Sequence, residues 1–110
     1  MPDRIIKINE LIREQLGWLI NKEIELPPGV IITITKVATA KDLRQANIYV
    51  SILPDVKTFQ VMKILIINAR HLQNLLNEKI VLRNIPKLKF YLDDEERKAI
   101  EIDELLDNLK

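Results

Sequence analysis

Cysteine is absent from this chain of 110 residues, which has only one histidine and two glycines. Without cysteine, disulfides and thiolate metal sites are both excluded, which fits a reducing compartment such as the cytoplasm. Two glycines give little from which to build a phosphate-cradling loop, and the sequence contains no GxxxxGK[ST], GxGxxG or HExxH motif. It also shows no signal-peptide pattern and no apolar run of membrane-spanning length. We therefore expect a soluble, cytoplasmic protein.

The residues that could carry catalysis are as sparse as the motifs. His71 is the only histidine and lies in a helical pattern, so a site with two histidine ligands is impossible, and we expect His71 at the surface or core boundary. The consecutive carboxylates of Asp93–Glu96 could hold a divalent ion. Clustered carboxylates at the start of a helix more often complement its dipole, and we favour that interpretation. The sequence predicts no enzyme, no metal site and no cofactor.

Charge is unevenly distributed along the chain although the net charge is only +1. Residues 26–92 contain ten basic and three acidic side chains, a net charge of +7. Residues 93–110 contain three basic and eight acidic side chains, a net charge of −5. A basic body with an acidic C-terminal end favours a polyanionic partner for the body, although the same charges scattered over several faces would be an ordinary solvated surface.

The hydrophobic pattern predicts six elements. Apolar residues recur every three or four positions over residues 4–25 and 58–80, which predicts two helices. Alternation predicts strands at Val30–Val37, Gln45–Leu53 and 87–92, the third parallel to the first. The order is α-β-β-α-β-α, with a final acidic helix that opens at Asp93. This is the order of an α+β domain with a three-stranded sheet and helices packed on one face.

The same pattern predicts the domain organisation and the core. Residues 1–92 should form the body, and residues 93–110 an acidic C-terminal helix that packs on the body or trails from it. We expect one core to include inward-facing side chains from the strands and the long helix: Ile34, Ile48, Val50, Leu72 and Phe90.

Two segments carry a resemblance to a known family. The first is ITKVATAKDLRQANIYVSIL, and the second is LRNIPKLKFYLDDE, followed by an Ile-rich last helix with ELLDNL. In this order and at this spacing they resemble ribosome-binding factor A of bacteria, over nearly the whole chain. The resemblance implies a type II KH-like domain that binds the small ribosomal subunit and its rRNA during late maturation. It also implies a non-enzymatic factor, and some members of the family are needed for growth in the cold.

The sequence departs from the family in the long helix. KH domains ordinarily clamp the nucleic-acid backbone with a GxxG loop. Ribosome-binding factors instead have an Ala-x-Gly kink, and this sequence has Arg70 where that glycine is expected. Arginine lacks the conformational freedom of glycine at positive φ. The helix therefore either bends near Asn68 or runs straight. A bend would place Arg70 where a KH-like domain approaches backbone phosphate, whereas in a straight helix we expect Arg70 to be an ordinary solvated side chain.

Nine basic residues are candidate RNA contacts, because neutralising phosphates supplies most of the affinity for nucleic acids. Arginine is better suited than lysine to bidentate phosphate contacts, so the three arginines lead. The candidates are Arg70, Arg83, Arg44, Lys41, Lys63, Lys79, Lys36, Lys87 and Lys89.

A protein-interaction module without RNA binding is the alternative. Its contacts would be the acidic last helix and the open face of the sheet, which should carry Thr33, Thr35, Asn47, Tyr49, Lys89 and Tyr91. Base stacking on the two tyrosines, as on an RRM sheet, ranks below both hypotheses because the leading strand and aromatic run of an RRM are missing. Nothing in the sequence demands a dimer, and we expect a monomer.

Overall fold

The computed structural model describes residues 2–93 and 100–104. Two long helices and a sheet account for most of this range. The elements are α1 (Pro2–Glu23), β1 (Ile31–Thr39), β2 (Gln45–Leu53), a 3-10 turn (Asp55–Lys57), α2 (Thr58–Lys79), β3 (Lys87–Leu92) and β4 (Ile100–Glu101).

The strands form one mixed sheet in the order β1-β2-β3-β4. β1 and β2 are an antiparallel hairpin, and β3 lies beside β2 and parallel to it. The predicted α+β class is confirmed, but β3 was expected to be parallel to β1, and that was wrong. The crossover through α2 connects β2 to β3, so these two consecutive strands become the parallel neighbours.

The acidic end differs from the continuous helix predicted from Asp93. Ile100 and Glu101 form a short fourth strand that pairs antiparallel with Leu92 and Tyr91 of β3. Residues 102–104 are helical, whereas residues 94–99 and 105–110, which include most of the acidic cluster, lie outside the described residues. The Ile-Glu-Ile alternation at residues 100–102 is too short to stand out against the helical pattern around it, and pairing with β3 decides its conformation.

A β-bulge explains why β1 extends two residues beyond its predicted end. Ile34 pairs with Val50, but Lys36 pairs with Tyr49, so the register shifts by one residue between Ile34 and Lys36. A bulge adds one residue to a strand and changes the phase of the side chains that follow. Inward-facing positions therefore continue at Val37 after the bulge, three residues beyond Ile34.

The core lies between the helices and one face of the sheet. Five residues predicted to share it, Ile34, Ile48, Val50, Leu72 and Phe90, are all buried in one cluster. On β2 the inward positions are buried throughout, and the intervening outward ones are half-buried or exposed. This pattern is that of a sheet covered by helices on one face only, as predicted.

Replacing Phe90 with alanine should lower the free energy of unfolding by about 3–5 kcal/mol, because the ring is only 4% exposed in the core. Urea denaturation monitored by circular dichroism measures the change. A loss below about 1 kcal/mol would be incompatible with this burial.

Ile102 should contribute comparably from the other end of the chain. Its side chain is fully buried in the same cluster, although it lies in the acidic segment. We expect Ile102→Ala to cost about 2–5 kcal/mol in urea denaturation. Asp103→Ala, at an exposed neighbouring position, is the control and should change stability by less than about 0.5 kcal/mol. Equal stabilities of the two variants would show that the acidic segment does not belong to the core.

Candidate nucleic-acid interface

The starts of β2 and β3 bring two predicted cations together. Gln45 pairs with Lys87 as the first partners in the parallel register. The Lys87 amide donates a hydrogen bond to the carbonyl of Arg44, the residue before Gln45, with an N–O distance of 2.9 Å. The side chains of Arg44 and Lys87 are both exposed. The pairing of the two strands therefore holds these residues at the same end of the sheet.

Arg70 and Lys87 line a common groove between α2 and β3. This groove has a volume of about 420 Å³, and among the described residues Arg70 and Lys87 are the only charged ones that line it. The other lining residues are mostly polar amides and small or apolar groups: Ala69, Gln73, Asn74, Asn77, Ile85 and Leu88. A polar groove lined by two cations is suited to a phosphate backbone.

Gln73 fixes the distance between the two walls of this groove. Its Oε1 accepts a hydrogen bond from the Leu88 amide at 2.8 Å, and its Nε2 donates to the Pro86 carbonyl at 3.2 Å. The same Nε2 lies 3.0 Å from Oδ1 of Asn77, one turn further along α2. A side-chain amide thus satisfies backbone groups at the start of β3.

The amides of this groove were not among the predicted contacts. The sequence does contain an indication of them. Three side-chain amides occur within five residues on a helix whose other face is apolar: Gln73, Asn74 and Asn77. Amides on a helix surface are common, however, and only the fold shows that these three face β3.

A second groove lies at the tip of the hairpin and includes Arg44. It has a volume of about 470 Å³ and is lined by Ala38, Thr39, Ala40, Asp42, Arg44, Gln45 and Asn47. Asp42 shapes the tip because its Oδ1 accepts a hydrogen bond from the Arg44 amide at 3.1 Å. Leu43 has a left-handed backbone with φ of 61°.

The long helix is continuous through the position of the expected kink. α2 extends without a break from Thr58 to Lys79, and within residues 2–93 and 100–104 the only positive φ values are those of Gly29 and Leu43. Asn68 donates its side-chain amide to the Ile64 carbonyl one turn earlier, at 2.8 Å. Arg70 therefore reaches the groove from an uninterrupted helix, without a left-handed residue.

Two of the remaining candidates lie on other parts of the helical layer. The ammonium of Lys63 lies 4.9 Å from the ring centroid of Phe59, and that of Lys79 lies 3.6 Å from that of Trp18. Trp18 itself is 45% exposed and also contacts Lys22. These cations are engaged in cation–π contacts and are not brought to the groove.

The last four candidates are divided between loops and the open sheet face. Lys41 and Arg83 are exposed, in the hairpin loop and after α2 respectively. Lys36 lies 5.6 Å from the ring centroid of Tyr49, and Lys89 forms an ion pair with Glu101 at 3.0 Å. The nine candidates therefore do not form one patch: Arg44, Arg70 and Lys87 lie at one end of the β2–β3 pair, and the others are dispersed.

A row of aligned side chains crosses the open face of the sheet. Strand pairing places Lys36, Tyr49, Tyr91 and Glu101 opposite one another on β1 to β4. The tyrosine rings are stacked, with centroids 5.3 Å apart. Each ring therefore has a neighbour in the row, which argues against an unoccupied base-stacking platform of the RRM type.

Among the residues the structure describes, no group of three potential metal ligands occurs. His71 is exposed, in agreement with the expectation for it. Within the same part of the chain, no helix combines the length and apolarity needed to cross a membrane.

Removing the partner of Lys89 should lower the pKa of that ammonium. A hydrogen bond to Glu101, and then the charge of the same carboxylate, raise the pKa of Lys89 above its usual value of 10.5. The stabilisation that the Lys89–Glu101 ion pair gives the fold is therefore present at neutral pH. It is lost as the pH rises through the elevated pKa of Lys89.

In Glu101→Gln we expect the Lys89 pKa, followed by NMR titration of its side chain, to return toward 10.5. The stability difference between the parent chain and this variant should shrink at high pH. The side-chain NMR signals of Lys63, which contacts an aromatic ring rather than a carboxylate, should be unaffected by the substitution and are the internal control. An unchanged Lys89 pKa would show that the ion pair is not formed in solution.

The fold belongs to the KH-like class of α+β domains, as comparison with solved structures shows. The crystal structure of ribosome-binding factor A from Thermus thermophilus superimposes with a TM-score of 0.67 at 19% identity, over 80% of this chain and 93% of that one. A homology model of the T. thermophilus ribosome binding factor A, fitted into a cryo-EM map of a 30S complex, gives a TM-score of 0.52 at 23% identity. It covers 72% of this chain and 88% of that one.

Sequence comparison gives the family. The family model for ribosome-binding factor A matches residues 4–106. A ribosome-binding factor A of Akkermansia muciniphila is 33% identical over 111 aligned residues, which cover 99% of this chain and 86% of the relative. The chain belongs to the ribosome-binding factor A family.

Proposed function

We propose that this chain binds the small ribosomal subunit through its rRNA and acts there as a non-enzymatic assembly factor during late maturation and rRNA processing. The observation that carries the proposal is the convergence of Arg44, Arg70 and Lys87 at one end of the β2–β3 pair. Family membership supports it, as does the neighbouring structure from T. thermophilus, which was fitted into a 30S complex. The proposal places the chain in the cytoplasm as a monomer.

The groove favours single-stranded or irregular RNA backbone. Its cations lie on two walls, α2 and β3, whose separation Gln73 fixes. Asn74 and Asn77 add amide donors and acceptors along the same helix. Cations would position the phosphates, and the amides would hydrogen-bond sugars or exposed base edges.

Reversing the charge of Arg70 tests the proposal. We expect Arg70→Glu to weaken binding to purified small subunits at least about tenfold at low salt, and Arg70→Ala to reduce the slope of log K against log salt by about one phosphate contact. Fluorescence anisotropy of labelled protein across a salt titration measures both. Because Arg70 is exposed, circular dichroism should show an unchanged fold.

Two variants are the controls for this measurement. Lys22→Glu makes the same charge change on α1 beside Trp18, and should weaken binding by less than about threefold if the groove, rather than net charge, determines affinity. Arg83→Glu tests the loop after α2 independently. Equal effects in Arg70→Glu and Lys22→Glu would refute a localised interface. Binding that is insensitive to both salt and Arg70 would instead favour the protein-interaction module.

A further inference from the structure

The free edge of β1 is a second feature of the sheet and lies on the opposite side of β2 from β3. Within the described residues β1 has a strand on one side only, while β4 covers the edge of β3. An uncovered edge presents backbone N–H and C=O groups that can pair with another strand.

Strand pairing identifies which residues of β1 present these groups. The Asp93 amide donates a hydrogen bond to the Val50 carbonyl at 2.8 Å, so the backbone of Val50 is directed toward β3. Ile34 is the partner of Val50 in the antiparallel register. Its N–H and C=O must therefore point away from β2, toward the free edge, and those of Ile32 do the same by alternation.

The rest of the edge is protected. The amide and hydroxyl of Thr39 both donate hydrogen bonds to Oδ1 of Asn9 on α1, at 3.0 and 2.6 Å. The bulge between Ile34 and Lys36 interrupts the middle of the strand. Bulges and lysines are common means of blocking edge pairing. The unprotected stretch is thus the first four residues of β1, Ile31–Ile34.

A groove runs beside this unprotected stretch, between α1 and β1. It has a volume of about 220 Å³ and is lined by Arg13, Gly17, Ile20, Asn21, Ile32, Thr33 and Ile34. There is free space over Gly17, because a Cβ added at this position would meet only Cδ1 of Ile34, at 4.0 Å. In the part of the chain that the structure describes, Arg13 is the only charged residue that lines the groove.

We propose that this edge binds an extended, carboxylate-bearing peptide segment of a partner protein. The segment adds a strand beside Ile32 and Ile34, hydrogen-bonded to their outward N–H and C=O groups. One of its inward side chains enters the groove over Gly17 and places a carboxylate at Arg13. This is recognition by strand addition, in which the backbone gives affinity and the groove gives specificity.

The observations favour a peptide over other occupants. A nucleic acid has no backbone that matches the alternating donors and acceptors of a strand edge, and one arginine among isoleucines is a poor phosphate site. A second copy of this chain would offer its own β1, whose sequence IITITKVAT contains no carboxylate to meet Arg13. The inference is independent of the proposed rRNA interface.

A short synthetic peptide tests the proposal on the full chain. The probe is acetyl-Thr-Val-Glu-Val-Thr-amide, titrated into isotopically labelled protein and followed by NMR. We expect the largest amide shifts at Ile32 and Ile34, slowed hydrogen exchange at both, and a dissociation constant of about 1 mM. The matched peptide with glutamine in place of glutamate should bind roughly two- to fivefold more weakly.

Two pairs of variants separate binding from folding. Gly17→Leu fills the groove and should abolish the shifts, whereas Gly17→Ala removes the same glycine and should bind within about threefold of the parent chain. Ile32→Pro removes an outward N–H that takes no part in pairing with β2, and should also abolish binding. Ile32→Ala keeps that N–H and should still bind.

Three results would overturn the proposal. One is the absence of shifts at Ile32 and Ile34 at about 5 mM peptide. Another is equal binding of the glutamate and glutamine peptides. The third is concentration-dependent self-association that protects the same two amides without peptide, which would assign the edge to a second copy. Loss of 30S binding in Arg70→Glu with peptide binding intact, or the reverse, distinguishes the two sites.

Discussion

The position of β2 between an antiparallel and a parallel neighbour is the constraint on which the rest of the structure depends. Ile48 and Val50 are fully buried, and their outward neighbours lie on the open face. A shift of one residue against β3 would exchange these faces and move Lys87 away from Arg44. The burial that stabilises the sheet therefore also fixes the geometry of the candidate interface.

Hydrogen bonds from one side-chain amide add to the apolar packing where α2 meets the start of β3. Buried side chains such as Leu72 and Leu76 hold the helix on the core. Beside them, Gln73 bonds to the backbone at both Pro86 and Leu88. An apolar residue at position 73 would leave the Leu88 amide without this partner, at a cost of about 1–3 kcal/mol if it stayed buried. The groove is open because an amide bridges its walls.

Most of the fold was predictable from the sequence because its signals are local. Two helices follow from apolar spacing, and the hairpin and β3 from alternation. The orientation of β3 was predicted incorrectly: β3 is parallel to β2 and not to β1, because the crossover through α2 starts from β2. β4 was missed because two residues carry no periodic signal, and its pairing with β3 is a tertiary effect.

The candidate site was predictable in residue type but not in arrangement. The sequence identifies nine cations, and only three-dimensional placement separates Arg44, Arg70 and Lys87 from those beside aromatic rings or a carboxylate. Arg70 illustrates the difference. The sequence does not decide whether the helix bends at this residue. In the structure α2 is continuous and brings the Arg70 side chain to the groove without a bend.

The two edges of the sheet differ in a way that permits simultaneous binding of two partners. The edge of β3 is covered by β4, and Glu101 of that strand pairs with Lys89. In the proposed complex, the nucleic acid therefore contacts the end of the β2–β3 pair. There the residues at the beginning of the two strands, together with α2, supply the cations. The edge of β1 lies beyond β2 and adjoins α1 instead. The two grooves share no lining residue within the described ranges, so no side chain of these grooves has to serve both proposed partners.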